Sequence, residues 1–201
     1  MDLPTTQSLH QAVVNNLKFL EETKLNTGAI KTGFKNIDDK YCGLVLGEFL
    51  ILCGNKSIGK TPFLVNLALN VSLTNPVLYL SFDLTNTELT DLFISSASNI
   101  SLSKITNQSL NFYDEIVLNE ARQNIKNYKV FLNGKPNGYL NTFKEYCKQQ
   151  VKENGIKLIV VDCLQKVNYS YSYEIAELKN IAIENNVCVI GASKFEQNID
   201  K

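Results

Sequence analysis

Phe49-Leu50-Ile51-Leu52-Cys53 runs without a polar residue into Gly54-Asn55-Lys56-Ser57-Ile58-Gly59-Lys60-Thr61, and this join decides the fold. A short apolar run bounded by glycines reads as a strand buried on both faces. Behind the octet, Leu64, Leu67, Ala68 and Val71 recur at helical spacing, so a helix is expected over 60–74. The octet matches G-x-x-x-x-G-K-[ST] at every fixed position. Glycines let such a loop bend tightly enough to aim backbone N–H groups at phosphate oxygens, and the helix behind it adds its positive end. In that pattern Lys60 reaches the terminal phosphates and the Thr61 hydroxyl binds Mg²⁺. Pro62 is harmless in a first helical turn, where its missing N–H has no intrahelical partner. Average residue usage would produce such an octet in about one chain of this length in a hundred. With a strand before it and a helix after it, a phosphate cradle outweighs a ligand-free glycine turn. Gly54, Asn55, Lys56, Ser57, Ile58, Gly59, Lys60 and Thr61 are therefore the expected nucleotide-binding residues.

Outward from the cradle the chain alternates strands and helices. Asn75-Pro76 ends the first helix and opens a strand, Val77 to Phe82. Thr85-Asn86-Thr87-Glu88 is a capping-box sequence, predicting a helix that turns Leu89, Leu92 and Phe93 inward. A polar connection with a short helical turn spans 99–110, a helix 111–127, and a brief strand Lys129 to Leu132. A helix from Tyr139 to Asn154 stops at Gly155. Lys157 to Asp162 is the next buried strand, Glu174 to Asn185 a helix, and Val187 to Ala192 the last strand. This order implies an α/β fold with a mostly parallel central sheet and helices on both faces. Asp162 closes an apolar strand where an acidic residue would position the water shell of Mg²⁺, so Thr61 and Asp162 are the expected metal pair. Asp38-Asp39 reads as a solvated pair in a polar turn.

Residues 6–23 read as an amphipathic helix, with Leu9, Val13, Leu17 and Leu20 on one stripe. It lies on its own domain or serves as an arm that docks on a neighbour.

Composition bounds the rest. At 201 residues the chain fits one well-packed domain, and no apolar run approaches a membrane span. The N-terminus lacks a basic start and apolar stretch, so the cytoplasm is the default location. Twenty basic residues balance twenty acidic ones, which argues neither for nor against a polyanionic partner. Arg122 is the only arginine, the residue type usually supplied in trans to a hydrolysing nucleotide. Five cysteines show no C-x-x-C spacing and His10 is the only histidine, which argues against a zinc site or disulfide framework. Cys53, Cys163 and Cys188 lie in or beside apolar runs and are expected to pack as small hydrophobes.

With the cradle and Asp162 placed, the chain resembles the RecA-like ATPase domain of the DnaB-type replicative helicase family. Thr32-Gly33-Phe34-Lys35-Asn36-Ile37-Asp38 is similar to that family's TGF-x-x-[LI]-D segment. Gly43-Leu44-Val45-Leu46-Gly47-Glu48-Phe49 looks like its GL-x-x-G-[DE]-L, and Leu80-Ser81-Phe82-Asp83-Leu84 like its F-S-L-E-M. Val161-Asp162-Cys163-Leu164-Gln165 is similar to I-D-Y-L-Q, and Ile190-Gly191-Ala192-Ser193-Lys194-Phe195 takes the place of A-L-S-Q-L.

The resemblance implies a RecA-like P-loop NTPase core over 32–201, using ATP and Mg²⁺. It implies a linker helix or arm over 1–31, packing on an adjacent subunit of a hexameric ring. Single-stranded DNA is the implied track, and translocation on it the implied work. The family's C-terminal strands, basic finger and N-terminal primase-interacting domain are expected to be lacking. The family's water-orienting glutamate is Asp83 here and its γ-phosphate-sensing glutamine is Lys194. Asp83, Lys60 and Lys194 are accordingly the implied catalytic residues. Tyr169, Tyr171 and Tyr173, in the loop after Asp162, are expected either to stack on bases or to form an ordinary loop segment.

Two functions follow. One is the ATPase module of a DnaB-like helicase acting in DNA replication, weakly hydrolytic in this chain. The other is an inactive nucleotide-binding protein that docks on a replicative helicase or replication complex. A RecA-like ATPase of the recombination or clock type shares the fold but matches the TGF and D-x-L-Q segments less well.

Overall fold

The computed structural model describes residues 8–14, 29–136, 140–166 and 171–194; at 140–142, 166 and 171–174 it describes the backbone alone. The strands are β1 (Phe49–Gly54), β2 (Val77–Ser81), β3 (Val130–Gly134), β4 (Leu158–Asp162) and β5 (Cys188–Lys194). They form one sheet in the order β1-β5-β4-β2-β3, with every neighbouring pair parallel. The helices are α1 (Lys35–Tyr41), α2 (Lys60–Ser72), α3 (Asn86–Ser98), α4 (Leu102–Thr106), α5 (Phe112–Asn124), α6 (Leu140–Asn154) and α7 (Tyr171–Asn185).

Strand parity divides the core into two layers. Val77, Tyr79, Leu158, Val160, Cys188 and Ile190 pack with Leu64, Leu67, Ala68 and Val71 of α2 and with Leu89 and Phe93 of α3. Leu78, Leu80, Ile159, Val161 and Val189 pack on the other face with Phe143 and Cys147 of α6 and with Leu178, Ile181 and Ala182 of α7. Every residue of β2 and β4 is buried, so these strands carry apolar side chains on both faces rather than alternating with polar ones. Truncating a core leucine such as Leu64, which has no exposed surface, to alanine costs about 2–5 kcal/mol.

Local signals hold the helices in place. Thr85 and Glu88 form the capping box expected of them, with Glu88 N–H donating to Thr85 Oγ1 at 3.3 Å and Thr85 N–H to Glu88 Oε2 at 2.8 Å. A second box, Asn111 with Asp114, starts α5, and Lys104 Nζ donates to Asp114 Oδ2 at 2.8 Å. Gly155 ends α6 at φ +65°, in the left-handed region that favours glycine. Gly134 is required by close approach. A Cβ there would collide with the carbonyl carbon of Thr85, and the Gly134 N–H donates to Asn86 Oδ1. The segment carrying Asp83 is thereby pressed against the end of β3.

Several expectations change. β1 is not buried on both faces. It stands at the sheet edge, where Leu50 and Ile51 keep 37% and 40% of their surface exposed. Cys53 is exposed with it, whereas Cys147, Cys163 and Cys188 are buried. Burial pushes the Cys147 thiol up to about 12 and, with the nearby Glu48 charge, the Cys188 thiol also to about 12. β3 and β5 run to Gly134 and Lys194, later than read from the sequence, and α7 starts at Tyr171 rather than Glu174. Of the helix expected over 6–23, residues 9–14 are helical and the others, apart from Ser8, lie outside the described residues.

Asp38 is not a solvated turn residue. It sits in α1 and accepts from Thr32 N–H and Thr32 Oγ1, both at 2.9 Å, and from Gly33 N–H at 3.1 Å. Among the described residues no helix is long and apolar enough to cross a membrane.

Candidate functional site

The octet forms the bend between β1 and α2. Gly59 turns into the helix at φ +98°, where a Cβ would be strained, and Ser57 also holds a left-handed φ of +64°. No side chain caps α2. The first N–H groups of a helix have no partner within it, and here they open on a cavity of about 240 Å³. That cavity is lined by Ser57, Gly59, Lys60, Thr61, Pro62, Asp83, Asp162 and Lys194. Four octet residues thus reach the cavity. Gly54 is buried beneath them, and Asn55, Lys56 and Ile58 are exposed. Lys60 Nζ folds back over the loop and donates to the carbonyls of Gly54 at 2.7 Å and Asn55 at 2.8 Å.

Opposite the loop, the ends of β2, β4 and β5 bring three charged side chains together. Ser81 lies in register with Asp162, and Phe82 N–H donates to the Asp162 carbonyl at 2.7 Å. Asp162 is buried, and its Oδ2 accepts from Thr61 Oγ1 at 2.7 Å and from Tyr79 OH at 3.1 Å. Burial pushes the Tyr79 hydroxyl well above its ordinary value, and the Asp162 charge and hydrogen bond push the same way. Tyr79 therefore stays a neutral donor.

Asp83 lies just past β2. Its Oδ2 is 3.5 Å from Lys194 Nζ and 3.4 Å from Cys163 Sγ, which donates to it. Burial raises the Cys163 pKa, and the charge and hydrogen bond of Asp83 add to the rise. Gln165 Nε2 donates to Ser193 Oγ at 2.9 Å and to the Lys194 carbonyl at 3.0 Å, which pins the end of β5.

All the expected catalytic and metal residues therefore share one cavity: Lys60, Thr61, Asp83, Asp162 and Lys194. Arg122 does not join them; it lies exposed on α5, with Nη1 3.5 Å from Asn119 Oδ1. Sequence reasoning missed Tyr79 and Cys163 as neighbours of the site. Tyr79 shares the parity of Ser81, the register partner of Asp162, a signal that appears only once strand pairing is known. Tyr169 lies outside the described residues, and of Tyr171 and Tyr173 only the helical backbone is described.

The donor set fits Mg²⁺. Among the described residues no cluster of three or more His, Cys, Asp or Glu forms a metal cage. Mg²⁺ ordinarily keeps several waters and is held by one or two protein groups plus phosphate oxygens. One hydroxyl and one carboxylate 2.7 Å apart beside a phosphate-sized cavity supply that.

Comparison with known proteins identifies relatives of the chain and of its fold. The chain is 26% identical over 212 residues to a probable replicative DNA helicase of Trieres chinensis, covering 99% of this chain and 46% of that protein. It is 25% identical over 199 residues to the replicative DNA helicase DnaC of Bacillus subtilis, covering 93% of this chain and 44% of the relative. The chain thus spans less than half the length of these relatives. A solved structure described as an ATPase domain superposes with a TM-score of 0.79 at 25% identity, over 98% of this chain and 74% of that one. A DnaB-like replicative helicase, solved in a study of its interactions with primase, shares the fold with a TM-score of 0.83 at 24% identity, over 98% of this chain and 50% of that one. The family model described as DnaB-like helicase C terminal domain matches residues 29–201. On that match the chain belongs to the DnaB-like helicase C-terminal domain family, with a RecA-like α/β fold.

Proposed function

We propose that the chain binds ATP with Mg²⁺ in the cavity between the octet and the ends of β2, β4 and β5, as the ATPase module of a DnaB-like replicative helicase. The observation that carries the reading is the 2.7 Å bond from Thr61 to Asp162 beside Lys60 at an uncapped helix start. Backbone N–H groups of the loop grip the phosphates. Lys60 exchanges the carbonyls of Gly54 and Asn55 for terminal phosphate oxygens. Thr61 would offer its hydroxyl oxygen to the metal while its O–H hydrogen stays donated to Asp162, and Asp162 would hold the metal through water. When bound, Mg²⁺ neutralises charge on the phosphates. Asp83 orients the attacking water and Lys194 contacts the terminal phosphate.

Turnover is slow in the chain alone. Trans-supplied charge is worth about 10³–10⁵ in rate in comparable systems, and Arg122 lies off the cavity. Single-stranded DNA, a hexameric ring of copies and a cytoplasmic setting are proposed on family membership.

A second reading has its own support. The Asp83 carboxylate is already engaged by Lys194 and Cys163, which favours an inactive nucleotide-binding protein that docks on a replicative helicase. ATP turnover with and without single-stranded DNA, measured beside nucleotide affinity with Lys60→Ala as control, separates the two. DNA-stimulated hydrolysis lost in the variant supports the motor; tight binding without turnover under any condition supports docking.

A further inference from the structure

We propose that Tyr79 is a positioning residue for the metal, holding the Asp162 carboxylate in the one orientation that serves Mg²⁺. The inference rests on the reading that the cavity takes a magnesium nucleotide.

Tyr79 has no exposed surface. It lies in the middle of β2, between Val160 of β4 and Leu132 of β3 in register, and its ring meets Phe93 edge-on at 5.4 Å and 86°. The ring is therefore fixed by the core, and the hydroxyl reaches Asp162 from a residue that does not line the cavity. A carboxylate oxygen has about two lone-pair positions. Thr61 and Tyr79 hydroxyls both donate to Oδ2, which would leave Oδ1 free to hold a bound metal through water. Without the Tyr79 bond, Asp162 would be tied through Thr61 alone, the same side chain that must present its own oxygen to the metal. The carboxylate would then be free to turn about its terminal torsion, whose preferences are broad.

A purely structural tyrosine would affect folding and nothing else. The test is the binding of a fluorescent ATP analogue to the full chain, titrated with Mg²⁺, in wild type and Tyr79→Phe, which keeps the ring and removes the hydroxyl. The Mg²⁺ concentration at half-effect should rise about five- to tenfold, on the scale of one ordinary intramolecular hydrogen bond. Affinity for the metal-free analogue should stay the same. In an Asp162→Ala background, Tyr79→Phe should add no further shift. Should the phenylalanine variant prove unstable, Tyr79→Met fills the space without a hydroxyl and should show the same shift.

An unchanged Mg²⁺ midpoint, or an equal shift in the Asp162→Ala background, overturns the assignment of Tyr79. If wild type itself shows no magnesium-dependent binding, the reading of the cavity fails with it, so the two failures are distinguishable.

Discussion

Thr61 and Asp162, 101 positions apart in the chain, meet in a hydrogen bond of 2.7 Å. One residue sits in the first turn of the helix behind the loop and the other at the end of a strand two places along the sheet from β1. Their contact joins the loop side of the cavity to its acidic side. Asp83 and Lys194 close the opposite wall, 3.5 Å apart.

Asp83→Glu adds one methylene to the acid proposed to orient water. Misplacement of about 1 Å can cost about a hundredfold in rate, so the longer side chain should raise phosphate release by up to about that factor. Steady-state hydrolysis measures it. A rate no faster than wild type would mean that reach does not limit the reaction.

Lys194→Gln removes the cation beside Asp83. The pair is partly exposed, with side chains 38% and 30% accessible, so its loss should change thermal stability by less than about 1 kcal/mol. Preference for ATP over ADP should fall by about tenfold, the value of a half-exposed contact to a charged phosphate. Competition binding with the two nucleotides checks this; an unaltered ratio would place Lys194 off the terminal phosphate.

Asp38→Asn should cost about 1 kcal/mol at neutral pH by weakening the bonds from Thr32 and Gly33. Burial alone would raise the Asp38 pKa, but those hydrogen bonds and the Lys31 charge outweigh it, and the folded value lies below the ordinary 3.8. A depressed folded pKa stabilises above the unfolded value and loses that contribution as pH falls through the folded one. Thermal melts of wild type and variant should therefore differ above about pH 4, and the pH-dependent part of the gap should shrink below it. A gap of constant size throughout would show that the Asp38 charge contributes nothing.

Asp38 also shows where sequence legibility ends. Its neighbourhood reads correctly as a polar segment, but the bonds to Thr32 and Gly33 depend on α1 folding back on the preceding turn. The bend between β1 and α2, the order of strands and helices and the Thr85–Glu88 cap were legible because each rests on local pattern. The burial of β1 was not. An apolar run states that a strand resembles a central one, whereas its place in the sheet depends on long-range pairing, and Leu50 and Ile51 are left partly exposed at an edge. The second capping box was hidden because its third helical residue is aspartate rather than the longer Glu or Gln. The acidic and basic residues that line the cavity could be named from motif and resemblance. Tyr79 could not, since its role comes from the register of β2 against β4.

Everything proposed for the cavity requires that backbone amides and Lys60 hold a polyphosphate. Calorimetric titration of the full chain with magnesium ATP, in wild type and Lys60→Ala, asks this without relying on turnover. Wild type should bind one nucleotide, and the variant should bind about 30- to 100-fold more weakly, the loss of a charge-assisted contact. Absence of binding in wild type, or equal affinity in the two proteins, would contradict the assignment of the loop.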